Sequence, residues 1–313
     1  MRLLRLWPDG TRFDFMRFRR ISFPFSALLS IATIIVFLTM GLNFGVDFKG
    51  GTLMELQAKS AQADVAKVRQ TANAFGFGEV EVQEFGNAGG VSLRFPVQPG
   101  GEAAQSAVVQ KAREAFGNDY TFSRVETVGP RVSGELVQSG TIGVILSVIA
   151  VLLYLWFRFE QELAIGAIIG TLHDIVLALG FFVITRHEFN MTSIAAILTI
   201  VGYSLNETVV VFDRTRELMR RYKSIPTEEL LNLSINSTMS RTVMTATAAF
   251  LSLLALVLFG GRAIEGFAQV MLFGVVVCTY SAIFISTPML IYIGLRVGAR
   301  DQSKGAALPQ PAE

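Results

Sequence analysis

Six apolar runs of hydrocarbon length constrain this chain more than any other feature in it. A helix rises 1.5 Å per residue and a bilayer core is about 30 Å thick, so a crossing takes about 20 apolar residues. The runs read 26–44, 140–157, 163–184, 191–213, 240–259 and 267–293. A chain of 313 residues that is 51% hydrophobic and 17% charged has room for only one region of ordinary soluble polarity. Before the first run, residues 1–25 carry Arg2, Arg5, Arg12, Arg17, Arg19 and Arg20. The length of that run, and the lack of an A-x-A-like exit from it, favour an uncleaved anchor over a removed signal peptide.

Basic residues give the orientation. Arg158, then Arg214, Arg216, Arg220, Arg221 and Lys223, then Arg296, Arg300 and Lys304 fall on the same side as the N-terminal arginines. The opposite short loops hold only Arg186 and Arg262. By the positive-inside rule both termini are expected in the cytoplasm, with residues 294–313 a tail that is disordered after Arg300, where Gly305, Pro309 and Pro311 fall.

The soluble region, residues 45–139, is expected on the outer side. Thr52–Ala58, Glu79–Phe85, Val91–Pro96 and Tyr120–Val128 read as strands, with a turn at Asn87-Ala88-Gly89-Gly90. Gln62–Phe75, with Val65, Val68 and Ala72 on one face, and Glu102–Phe116 read as helices. The order β-α-β-β-α-β predicts a ferredoxin-like α+β domain of about 90 residues. Residues Gly129, Pro130, Arg131, Gly134 and Glu135 then lead into the second run, as either a lever joint or a plain loop. On the cytoplasmic side, Lys223-Ser224-Ile225-Pro226 makes a turn, and Thr227 is a plausible N-cap for a helix lying on the membrane through Leu230, Leu231, Leu233 and Ile235.

Polar residues inside the runs carry the functional reading. Asn206 and Glu207 lie within the fourth run, beside Ser204 and Thr208. An acid at bilayer depth costs about 2.5–3.5 kcal/mol on insertion scales, so it must face protein or water and have a partner. The bland alternative is a structural hydrogen bond between helices. The fourth and fifth runs form an antiparallel hairpin about Ser224, from which Glu207 and Arg241 are equally distant. Matched depth makes Arg241 the candidate partner, unless it snorkels to the interface. Protonating Glu207 would strand such a partner, which is the property a proton-driven switch needs. Ser240, Thr242 and Thr245 add hydroxyls to the fifth run. In the third run His173 and Asp174 are either relay members or static partners, and the Gly166–Gly170 pair permits close helix packing.

Other chemistries lack their residues. There is no phosphate-binding G-x-x-x-x-G-K-[ST] stretch for ATP hydrolysis. With two histidines, no H-E-x-x-H and the single Cys278, zinc catalysis and an intrachain disulfide are excluded. A net charge of +2, with basic residues at segment ends, leaves no nucleic-acid footprint. The triplet Asn206-Glu207-Thr208 matches a glycosylation acceptor but lies within a span, and is taken as chance.

Several stretches, in order, resemble the SecD/SecF family of bacterial protein-export membrane subunits, on its SecF side. They are Asn43 to Thr52 with Asp47, Lys49, Gly50 and Gly51; Gly129 to Leu136; Phe157 to Glu160; His173-Asp174; Gly202 to Arg214; and Ser240-Arg241-Thr242. The resemblance covers about residues 15–298. It implies an RND-superfamily membrane fold, of which six spans are one half, with a SecD chain as the other. It further implies YajC as an accessory, docking to the SecYEG channel of the inner membrane, and proton-driven export of unfolded preproteins after the SecA ATPase has acted. No cofactor is implied beyond the proton, and no metal. The family's acid–arginine pair maps onto Glu207 and Arg241, with Glu here where the family usually has Asp. The resemblance favours the lever reading of residues 129–136. Two other expectations stay open beside it: one half of an RND-type exporter of small molecules or lipids, and a purely structural stabiliser of the channel.

Overall fold

The computed structural model describes residue 8 and residues 11–59, 63–84 and 89–295. Arg2, Arg5, the Asn87-Ala88 half of the expected turn, and the tail from Arg296 onward lie outside the described residues. The chain divides into two compact units, one of residues 1–42, 145–187 and 192–313, the other of 43–144 and 188–191.

The larger unit is helical. After a short turn at Met16–Phe18, α1 runs Arg19–Met40; α2, a single turn at Val46–Lys49, belongs to the smaller unit. Then come α5 (Pro130–Arg158), whose residues 130–144 belong to the smaller unit, α6 (Gln161–Thr185), α7 (Met191–Arg221) and α8 (Thr227–Phe259). The sixth span is α9 (Arg262–Ser281), a π-helical turn Ala282–Ser286 and α10 (Thr287–Ile293). Among the described residues, six helical segments are therefore long and apolar enough to cross a membrane. Their burial differs: 67% of the apolar stretch of the sixth, 50% of α6 and 44% of α7 lie inside the chain, against 11% for α5 and α8. The interior is accordingly α6, α7 and the sixth span, and Phe212, Leu163, Leu218 and Leu290 pack there.

Small residues set the closest approaches. A Cβ on Gly170 would stand 1.8 Å from Ser286 Oγ, and one on Gly166 would stand 2.9 Å from Leu290 Cδ2. The Gly166–Gly170 notch thus seats the π turn, as the packing role of the pair requires. The π turn, with Thr287 Oγ1 donating to Ala282 O (2.7 Å), puts Ser281 and Ser286 on the same side toward Gly170.

Two expectations for the connection between α7 and α8 fail. Residues 227–235 are not a separate surface helix but the first turns of α8, with Leu230, Leu231 and Ile235 fully buried. Burying three large side chains against the bundle outweighs laying them on a membrane surface. Thr227 caps nothing; its hydroxyl donates to Leu295 O (3.1 Å), and Pro226 holds the N-cap position.

The smaller unit carries β1 (Gly51–Ala58), α3 (Val65–Asn73), β2 (Glu81–Glu84), β3 (Gly90–Phe95), α4 (Gly101–Phe116) and β4 (Tyr120–Val128). Its antiparallel sheet has the order β2-β3-β1-β4, the ferredoxin-like arrangement. Leu56, Leu93, Phe95, Val108 and Ala112 form its core. Asp64 caps α3 by accepting from Lys67 N (2.9 Å), which starts that helix at Val65; the expected start at Gln62 lies outside the described residues. Residues 188–191 also belong to this unit, which the sequence did not announce.

Candidate functional site

In α7 the apolar face turns Glu207 inward: its side chain is 2% exposed, and Ser204 and Thr208 beside it are 1% exposed. The only described hydrogen bond to the carboxylate comes from α8, where Thr245 Oγ1 donates to Glu207 Oε1 (3.1 Å). The hydroxyls of Thr242 and Tyr203 stand near the same group, although Tyr203 Oη has no hydrogen-bond partner of its own among the described residues. Sequence reasoning missed Tyr203; its position one turn before Glu207 was the available signal.

The expected Glu207–Arg241 ion pair is not formed among the described residues, where Arg241 makes no salt bridge within 4 Å. Arg241 is exposed on this chain, close enough for its charge to act on Glu207 through space. The reason is the hairpin's register. Thr215 Oγ1 to Ser234 Oγ (2.7 Å) and Arg214 Nε to Ser237 Oγ (3.0 Å) align α7 with α8 so that Thr245 lies opposite Glu207. Arg241 is one turn earlier, where its carbonyl accepts from Thr245. Counting from the turn assumed a symmetric loop, and the true offset is four residues. Asn206 also points out of the chain, while Thr242 is buried and Ser240 is half-buried.

A second polar cluster lies between α6 and α7. Asp174, 1% exposed, accepts from Ser204 Oγ (2.6 Å), and its other oxygen lies 3.0 Å from His173 Nδ1. Ser204 thus joins the two clusters along α7, one turn from Glu207. Cys278 is buried beside it, donating to Ile200 O at 3.7 Å. A third link joins the end of α5 to α7: Arg158 Nη2 meets both oxygens of Asp213 at 2.6 and 2.7 Å. Two short motifs distant in sequence are thereby joined, a pairing no spacing rule foretold.

In the smaller unit, Gly50 and Gly51 have φ of +71° and +110°, and a Cβ on Gly51 would stand 2.2 Å from Phe95 O. Only glycine meets both conditions. Asp47 Oδ2 accepts from the backbone of Met191 (2.9 Å), the first residue of α7, and so caps that helix from another segment. Lys49 pairs with Glu81 (3.6 Å). Arg94, 7% exposed, donates to Phe44 O (3.0 Å), Asn43 Oδ1 (3.4 Å) and Glu81 (3.1 Å), and pairs with Glu188. The stretch read as a joint or loop is not a loop: after Gly129, residues Pro130, Arg131, Gly134 and Glu135 are the opening turns of the continuous α5, with Arg131 paired to Glu135 at 3.1 Å. Proline at the first helical position starts that helix directly after β4.

Among the described residues no group of three His, Cys, Asp or Glu side chains could hold a metal ion. The chain matches two family descriptions: "Protein export membrane protein SecD/SecF, C-terminal" over residues 108–296, and the "SecD/SecF GG Motif" over residues 35–62. It is 41% identical to the protein translocase subunit SecF of Rickettsia bellii over 289 residues, 92% of this chain and 95% of that one. It is also 41% identical to the protein translocase subunit SecDF of Brucella abortus over 295 residues, 94% of this chain but 39% of that longer one. The crystal structure of SecDF from Thermus thermophilus, a translocon-associated membrane protein, superposes with a TM-score of 0.81 at 32% identity, covering 92% of this chain and 39% of that one. A second SecDF structure, in a super-membrane-facing form, gives 0.64 at 30% identity, covering 96% and 41%. The chain therefore belongs to the SecD/SecF family of protein-export membrane proteins.

Proposed function

We propose that this chain is one half of a proton-driven machine that assists export of unfolded polypeptides, with a SecD chain as the other half. The observation that carries it is the placement of three polar groups within about one helical turn of each other on α7 and α8. Glu207 is sealed inside, while Asn206 and Arg241 face outward from apolar helices. A guanidinium and an amide at that depth are costly against lipid, so a second protein surface belongs there. In the longer SecDF relative the same chain carries the additional segment that can supply one.

The mechanism follows from the register. Protonated, Glu207 rests under the Thr245 hydroxyl with Arg241 one turn away. Deprotonated, its carboxylate attracts Arg241, and a slide of α8 along α7 by about one turn, on the order of 5 Å, closes the pair. The two arrangements form a bistable element biased by one proton. Membrane potential contributes about 2.3 kcal/mol per charge per 100 mV to driving it. The setting is the bacterial inner membrane, with both termini cytoplasmic and the α+β unit outside. The polypeptide arrives through SecYEG after SecA, and YajC is an accessory. The coupling ion needs no cofactor.

Proton flux and export, measured together in vesicles holding both halves, test this. Glu207→Gln abolishes both, and Glu207→Asp largely preserves them. Full proton-dependent export in the Gln variant overturns the assignment and leaves a structural role. Flux that persists without export, in the presence of both halves, points to a small solute instead.

A further inference from the structure

A groove of about 470 Å³ lies in the smaller unit where α4 meets the end of β4 and the start of α5. None of its described lining residues is charged. Val109, Val128 and Val132 give it apolar walls, and Gln105, Gln110 and Thr127 give it amides and a hydroxyl. Gln105 is the informative member. It is 1% exposed; its Oε1 accepts from Thr52 Oγ1 (2.9 Å), and Thr52 Oγ1 lies 3.2 Å from Thr127 Oγ1. That chain of hydroxyls satisfies one end of the amide and leaves the other, Nε2, with no acceptor among the described residues. A buried amide N–H₂ without an acceptor calls for an explanation, and an absent partner is one. The adjoining strand supplies the second sign. β4 pairs with β1 on one side and is the edge of the sheet on the other, so its outer backbone groups are available.

We propose that this groove and the β4 edge bind an extended, uncharged stretch of polypeptide. The peptide's backbone would add to β4, one of its carbonyls would accept from Gln105 Nε2, and a small apolar side chain would sit against Val109 and Val132. Such a ligand matches what the site lacks: alternating donors and acceptors for the strand edge, an acceptor for the amide, and no charge. Backbone recognition is indifferent to sequence, which suits a surface that must hold many different unfolded chains. The inference rests on the reading of this protein as part of a polypeptide-exporting assembly, and it names the surface that touches the substrate.

The test places a photo-crosslinking amino acid at Gln110, in the groove, or at the exposed Lys67 on α3 as a control, in the full chain assembled with its SecD half. A secretory polypeptide arrested during export is the probe. Capture of that polypeptide at 110 and not at 67 is expected, with at least about a fivefold loss (~1 kcal/mol in affinity) when Val132→Trp fills the groove or Gln105→Met removes the donor. Val132 is half exposed, so its replacement does not depend on the core refolding. Crosslinking is repeated in Glu207→Gln and with the membrane uncoupled. Groove-specific capture that survives there supports the surface even if proton driving fails. Equal capture at both positions, capture of the SecD half alone, or no effect of Val132→Trp overturns it.

Discussion

Replacing Arg94 with Leu measures what holds residues 43–48 and 188–191 to the sheet of the smaller unit. Arg94 is buried, and its fork reaches Phe44 O, Asn43, Glu81 and Glu188. The four contacts are unequal. Glu81 is half exposed, and an ion pair of that kind contributes about 0–1 kcal/mol. The 3.4 Å contact with Asn43 is near the limit of hydrogen bonding and adds little. The bond to Phe44 O is worth about 1 kcal/mol, and the charge-assisted bond to Glu188 about 1.5–3 kcal/mol. Against these stands Arg94 Nε, buried without an acceptor, whose removal returns about 1–3 kcal/mol. The net loss is about 2 kcal/mol, roughly thirtyfold in a local opening equilibrium. Hydrogen exchange on the full chain in lipid nanodiscs reads it directly. The amides of Gly45 and Phe189, bonded to Phe189 O (2.9 Å) and Asn43 O (2.7 Å), exchange about thirtyfold faster in Arg94→Leu, while Leu56 and Val108 in the core are unchanged. Arg94→Lys recovers only part, because an ammonium cannot reproduce the planar fork. Unchanged exchange at Gly45 and Phe189 in Arg94→Leu refutes the reasoning.

Three further outcomes follow from packing and burial. Gly170→Ala drives a methyl into Ser286 Oγ and lowers thermal stability by about 1–3 kcal/mol; Ser286→Ala in the same chain recovers part, and additivity of the two changes excludes the contact. Gly51→Ala meets both a positive φ and a carbonyl 2.2 Å away, so it costs about 3 kcal/mol or more and disorders β1 by hydrogen exchange, whereas Gly76→Ala, with open space around it, is milder. Burial pushes the Tyr120 phenol above its ordinary value, so the folded state keeps the proton that the unfolded state loses. Its stabilisation is complete below the unfolded value near 10 and fades as pH rises through the folded one; Tyr120→Phe flattens that alkaline loss in pH-dependent melts, and an identical alkaline slope in both proteins counts against it.

Much of the architecture was legible in residue order. Period-2 alternation in Thr52–Ala58, and an apolar stripe at Val65, Val68 and Ala72, specify elements through local geometry, and the β-α-β-β-α-β succession admits few sheets. The buried carboxylate was equally legible, because an acid in a hydrocarbon-length run has few places to go. Its partner was not. A one-turn difference between Thr245 and Arg241 depends on where a helix leaves its loop and how its side chains interdigitate, and a symmetric count from Ser224 cannot supply that.

What the sequence determined alone is what short-range physics controls: six apolar helices of spanning length, one α+β unit between the first two, and ionisable groups too costly to meet lipid. Tertiary structure decided which of those groups meet. Asp174 with Ser204, Arg158 with Asp213, and Arg94 with Glu188 are contacts across 30, 55 and 94 residues, and Asp47 caps α7 from 144 residues away. Such contacts depend on the relative rotation and offset of packed elements, quantities that no single segment encodes because each is set jointly by the two surfaces that pack.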